Sequence, residues 1–177
     1  TSNTGGGGGG GGDSYGGKGG SGIVIIRYRL ALIAAFEVTI KQEGSYSLKG
    51  IAAITASLNK TLTRTVSPVI NLTDKTIIKF DIRASRTGSN IKIGIHDSGG
   101  TTTEITPVIA AADTWQTVVW DISAVANANK DVIDSIIVTI VNADAANTFY
   151  IDNMFGDTIN NYLIHRGRDR FRTAGYS

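Results

Sequence analysis

From residue 76 the chain alternates apolar and polar positions. In Thr76-Ile77-Ile78-Lys79-Phe80-Asp81-Ile82-Arg83, Ile78, Phe80 and Ile82 share one face, and Lys79, Asp81 and Arg83 share the other. Ile91-Lys92-Ile93-Gly94-Ile95-His96 repeats the pattern, with Gly88-Ser89-Asn90 as the turn between the two segments. Side chains of a strand point alternately to its two sides, so a period of two predicts half-buried antiparallel strands. Asp97-Ser98-Gly99-Gly100 is the next turn signal. Further strands are expected over residues 36–39, 45–50, 60–66, 102–105, 115–122, 135–142 and 148–154, with one helical turn over 126–131. Pro68 and Pro107 belong at strand edges or in loops, where a missing amide is tolerated. Many short strands separated by turns predict two sheets packed face to face. The expected core is Ile78, Phe80, Ile82, Ile91, Ile93, Ile95, Trp120, Ile122, Val138, Ile140 and Ile151.

The two ends differ from this body. Thirteen of the first 22 residues are Gly, with an unbroken run from Gly5 to Gly12. Such a run is either a flexible linker or a set of closely packed backbones held by neighbouring chains. It leads into Ile23-Val24-Ile25-Ile26, four β-branched residues that favour an extended strand buried on both faces. Beyond residue 156, Arg166, Arg168, Arg170 and Arg172 lie in a segment with no apolar period long enough for a core, which reads as an arm on a neighbour or a tail. The chain therefore divides into residues 1–29, a sandwich over 30–156 and a C-terminal arm over 157–177.

Charge adds to this division. The net charge is +2, yet residues 1–29 and 156–177 each carry +2 and the sandwich carries −2. A nucleic-acid-binding domain shows its basic stripe within the fold, so nucleic acid is not an expected partner. No apolar run reaches the length of a membrane-spanning helix, so no membrane insertion is expected. There is no Cys, which removes disulfides and thiolate metal sites.

The order of landmarks is more specific. Phe36-Glu37 opens the module, Glu43-Gly44-Ser45-Tyr46-Ser47-Leu48-Lys49-Gly50 follows, and Asp113-Thr114-Trp115-Gln116-Thr117-Val118-Val119-Trp120-Asp121-Ile122-Ser123 comes later. Asn147-Thr148-Phe149-Tyr150-Ile151-Asp152-Asn153-Met154 closes it. This order resembles the galactose-binding-like jelly-roll modules, many of which are carbohydrate-binding modules. The stretch Gly19-Gly20-Ser21-Gly22-Ile23-Val24-Ile25-Ile26-Arg27-Tyr28 resembles the end of glycine-rich domains in phage tail and fibre proteins. The resemblances imply an all-β antiparallel jelly-roll β-sandwich with an N-terminal polyglycine segment and a C-terminal extension. They further imply a non-enzymatic display protein at a virion surface or outside a cell, such as a tail fibre, decoration or adhesin component. Its expected partners are copies of itself in a homo-oligomer or filament, other particle proteins, and host glycans. The alternative is a carbohydrate-binding accessory module, or a surface or filament protein of a bacterium or archaeon. In the assembly reading, residues 5–29 and 158–177 make mostly intermolecular contacts.

The resemblance also implies a structural calcium ion where the first strand, the following turn and the last strand meet. Glu37 and Asp152 match the carboxylate positions, and Glu43 is the candidate from the turn; otherwise these are surface carboxylates at strand ends. Trp115 and Trp120 are five apart and so face opposite sides of one strand. Trp120 joins the core with Val118 and Ile122, whereas Trp115 either packs under loops or, with Tyr46 and Tyr150, lines a sugar platform. Lys79, Asp81, Arg83, Lys92 and His96 form a second candidate surface, rich in hydrogen-bond donors and suited to an acidic sugar or a protein. No catalytic residue is assigned. His96, Asp97 and Ser98 are adjacent along one strand and cannot converge as a triad. There is also no nucleophile elbow or phosphate loop.

Overall fold

A computed structural model describes residues 31–159. Nine strands and one short 3-10 turn build two antiparallel sheets. The strands are β1 (Leu32–Glu37), β2 (Ser47–Ala52), β3 (Thr61–Ile70), β4 (Ile77–Ala84), β5 (Ile91–Asp97), β6 (Thr102–Ile105), β7 (Gln116–Asp121), β8 (Ile133–Ile140) and β9 (Asn147–Asp157). The larger sheet runs β1-β2-β9-β4-β7 and the smaller one β3-β8-β5-β6. The chain alternates between sheets, so hydrophobic residues from distant parts of the sequence meet in one layer. The all-β jelly-roll expectation holds.

The core forms where the inner faces meet. All eleven residues expected there are buried, and Phe80, Ile82, Ile93 and Ile122 have no accessible surface. Leu72, Ile109, Ile133 and Phe149 join them. Burying a Leu-, Ile- or Phe-sized side chain is worth about 1.5–3 kcal/mol, so this layer supplies the main drive to fold. The helical turn expected over 126–131 is the 3-10 turn Asn127–Asn129. Pro68 lies in β3, an edge strand, and Pro107 in a loop, as their missing amides require.

Several expected limits shift: the strands expected at 45–50, 60–66 and 148–154 cover Ser47–Ala52, Thr61–Ile70 and Asn147–Asp157. The first strand was expected at 36–39, but β1 covers Leu32–Glu37. Its stretch Leu-Ile-Ala-Ala-Phe is apolar on both faces and carries no alternation to mark it. The strand expected at 135–142 begins two residues earlier, at Ile133. The glycine-rich residues 1–29, the strand segment 23–26 and most of the C-terminal arm lie outside the described residues.

Candidate functional site

The outer face of the larger sheet carries the densest set of ring and charged side chains. Lys49 on β2 stands opposite Tyr150 on β9, and Tyr150 stands opposite Arg83 on β4. The β4–β7 register pairs Ile82 with Gln116, so the next step along the row reaches Trp115. Lys49, Tyr150, Arg83 and Trp115 thus form one row across β2, β9, β4 and the residue that precedes β7. The Tyr150 ring is its floor, 6% exposed. Lys49 Nζ lies 5.6 Å and Arg83 Cζ 5.7 Å from the ring centroid, within cation–π range. The Trp115 ring meets Tyr150 at 6.5 Å between centroids, tilted by 57°.

Neighbouring groups fix these side chains. Arg83 Nε donates to the Asp113 carbonyl at 2.8 Å, and its guanidinium also reaches Asp113 Oδ1 at 3.3 Å. Asp113 itself sits at φ 55°, a left-handed conformation that Asp tolerates better than most residues, and its amide donates to the Ala84 carbonyl. That turn sets the approach of Trp115. On the other side Lys49 pairs with Glu37 Oε2 at 3.0 Å. Glu37 Oε1 accepts the amides of Val38 and Thr39. These contacts, the Thr39 amide first and Lys49 next, hold the Glu37 carboxyl down at about 2.

A second row, of Asp152, Asp81 and Thr117, lies beside the first. Asp81 was expected on an exposed polar face, but it is 3% exposed. Its carboxylate accepts the Thr117 hydroxyl at 2.6 Å and the Asn153 side-chain amide at 3.1 Å. Those donors offset the cost of two carboxylates facing each other on adjacent strands. Asp81 therefore positions the face and is not itself presented to solvent. Lys79, further down β4, lies over the Phe155 ring at 5.1 Å from its centroid.

The five-residue surface expected from Lys79, Asp81, Arg83, Lys92 and His96 is corrected. β4 belongs to the larger sheet and β5 to the smaller. Their inner faces meet in the core, so their polar faces point to opposite sides of the sandwich. Lys92 is paired with Glu104 at 2.8 Å, and His96 Nδ1 with Asp134 at 2.8 Å. The sugar platform expected from three aromatics is also reduced to two. Tyr46 precedes β2 and meets Phe36 at 6.0 Å, near the sheet edge opposite β7.

The three carboxylates expected to hold calcium have the following partners. Asp152 Oδ2 accepts the amides of Gln42 and Glu43 at 2.6 and 3.0 Å, and Oδ1 accepts the Asn153 amide. Glu37 is occupied by Lys49 and two amides, and Glu43 is exposed. Among the described residues no three acidic or histidine side chains gather as a metal site. Asp152 acts as a clamp, tying the 41–46 turn to the last strand. Lys49 and Asp113 were missed as members of the site. The signal for Lys49 was its alternation with Leu48 and Gly50 along β2.

The pairing has a consequence for pH. The Glu37 carboxyl drops from 4.5 to about 2, and Asp134 lies below its ordinary range because of the Ser135 hydroxyl first and His96 second. A depressed carboxyl contributes stability that is present above its unfolded value and lost as pH falls through its folded value. The melting temperature should therefore fall between about pH 5 and pH 2.5, and Glu37→Gln should reduce that fall. Equal acid sensitivity in wild type and Glu37→Gln would show that the Glu37 carboxylate plays no part.

No protein-family model matches the sequence, and no curated protein matches it. The solved structures that resemble it are β-sandwiches. One is an exo-beta-agarase, with a TM-score of 0.55 and 14% identity over 73% of this chain. The chain spans 23% of that enzyme chain. Another is a family 11 carbohydrate-binding module from Clostridium thermocellum in complex with a β-1,3-1,4-mixed-linked tetrasaccharide, with a TM-score of 0.52 and 15% identity. That match covers 73% of this chain and 85% of the module. A third is a family 30 carbohydrate-binding module, with a TM-score of 0.52, 16% identity, and coverage of 70% and 83%. The fold is thus that of carbohydrate-binding-module β-sandwiches.

Proposed function

We propose that the sandwich is a non-catalytic carbohydrate-binding module whose binding face is the outer side of the larger sheet. The observation that carries this reading is the row Lys49–Tyr150–Arg83–Trp115. It combines the partly accessible ring of Trp115, on which the apolar face of a sugar ring stacks and which the buried Tyr150 backs, with fixed donors for the sugar's hydroxyls. Both cations already hold carboxylates, Glu37 and Asp113, so the row offers paired donor and acceptor groups, which suits a neutral polysaccharide. The fold shared with carbohydrate-binding modules supports the reading.

Retention on polysaccharides tests it. Affinity electrophoresis through neutral gels, mixed-linked β-glucan and agarose among them, should retard the chain. Trp115→Ala should weaken that retardation about tenfold or more, equivalent to about 1.4 kcal/mol. Lys92→Ala, on the opposite sheet, should leave it unchanged. Loss of binding in Lys92→Ala but not in Trp115→Ala would move the site to the other face. No retention on any glycan would defeat the reading.

The glycine run and the Gly-Ile-Val-Ile-Ile-Arg-Tyr stretch support a more specific setting: an extracellular or virion-surface assembly that displays the sandwich and binds its neighbours through its ends. In the alternative setting the same face serves as an accessory module beside an enzyme.

A further inference from the structure

The sandwich is open along one side. β1 and β3 are the edge strands of the two sheets, and between them lies a groove of about 560 Å³. It is lined by Ala34, Phe36 and Leu48 from the larger sheet and by Leu62, Ile136 and Val138 from the smaller. In register, Ala34 and Phe36 share the inward face with Gly50 and Leu48. They nonetheless stay accessible, Phe36 at 77%. An inward-facing aromatic that remains exposed means that the core continues into the groove without a cover.

The β1 edge is also unguarded. Sheet edges normally carry charges, prolines or short strands that prevent further pairing. β6 has four residues, β3 carries Arg64 and Pro68, and β7 ends in Asp121. β1 has neither charge nor proline before Glu37. Its outer face is apolar as well: Ile33 pairs with Ile51, and they are 37% and 40% exposed. A strand added at this edge would find apolar cover on both sides.

The sequence contains a segment that requires such cover. Ile23-Val24-Ile25-Ile26 is apolar on both faces and ends five residues before β1. We propose that residues 23–26 of a second copy of this chain dock as a strand on the β1 edge, with alternate side chains closing the groove and packing on Ile33 and Ile51. The chain's own segment is poorly placed to do this. The Ala53 amide already bonds the Ala31 carbonyl at 2.9 Å, so the pairing with the β2 side reaches Ala31. Only Arg27-Tyr28-Arg29-Leu30 remains to reverse direction, and it holds no Gly, Pro, Asn or Asp to make a tight turn. A second copy supplies the strand without that reversal.

Sedimentation of the full chain tests this. Wild type should travel at twice the monomer mass or more. Ala34→Glu places a charge in the groove, and burying it without a partner is costly, so association should weaken about tenfold or more. Because Ala34 is exposed in the sandwich, its melting should change little. Val24→Asp lies outside the sandwich and should dissociate the assembly to the same degree. A monomeric wild type would overturn the proposal, as would an oligomer indifferent to either substitution. Polysaccharide binding by the monomeric variants should persist, which separates this inference from the glycan-binding reading.

Discussion

Gly50→Ala is expected to destabilise the sandwich by about 3 kcal/mol, the upper end of ordinary overpacking costs. A Cβ at Gly50 would lie 2.0 Å from Cζ of Phe149 and within 2.5 Å of two other ring carbons. Phe149 has no accessible surface, so its ring has no open direction in which to move. Either β2 must pull away from β9 or the ring must leave its rotamer. Phe149→Ala alone should cost about 3–5 kcal/mol, through lost burial and a cavity. In the double variant the new methyl occupies part of that cavity. The total should then fall short of the sum by about 1–3 kcal/mol, a coupling expected only for residues in contact. Urea denaturation of the four proteins measures it. Additive costs would show that the ring does not rest on Gly50. Domains of this kind hold about 5–15 kcal/mol in all, so either single change removes a large part.

Asp97→Ala is expected to cost about 1–3 kcal/mol, the cost of leaving one donor away from water without its acceptor. Asp97 is 2% exposed at the end of β5. Its Oδ1 accepts the Gly99 amide at 2.8 Å and its Oδ2 the Val132 amide at 2.9 Å. The first bond shapes the turn into β6, and the second ties that turn to the approach of β8. Alanine removes both acceptors; water can pair the amide of the exposed Gly99, while the half-buried Val132 amide loses its partner. Asn keeps one oxygen, so Asp97→Asn should recover part of the loss. Thermal and urea melts of the two variants check this, and equal stability of Asp97→Ala and wild type would contradict it.

How much of this was legible in the sequence depended on alternation. β4 and β5 stand out because one side is core and the other polar, and their limits fall within about a residue of expectation. β1 was displaced because the open groove leaves apolar residues on both of its faces, which erases the period. The site was legible in part. Parity separated Trp120, which is buried, from Trp115, which joins Tyr150. Parity also showed that Lys79, Arg83, Lys92 and His96 face away from the core. It could not assign each strand to a sheet, because the alternation is identical in both. That choice depends on pairing between segments far apart in sequence, such as β4 with β9 and β5 with β8. The same reasoning explains Asp81. Its parity is outward, but Thr117 and Asn153 from the adjoining strands cover it. Asp152 was singled out as a calcium ligand where the first strand, the turn and the last strand meet; in the structure its carboxylate accepts two backbone amides of that turn.

The central claim is that glycan binds to the outer face of the larger sheet. The most direct measurement is an NMR titration of the isotopically labelled chain with a neutral oligosaccharide that it retains. The Trp115 indole and the amides of Lys49, Arg83, Asp113 and Tyr150 should shift together and saturate with one affinity, while Lys92, His96 and Asp134 stay still. Shifts gathered around Lys92 and His96, or in the groove between β1 and β3, would contradict the account.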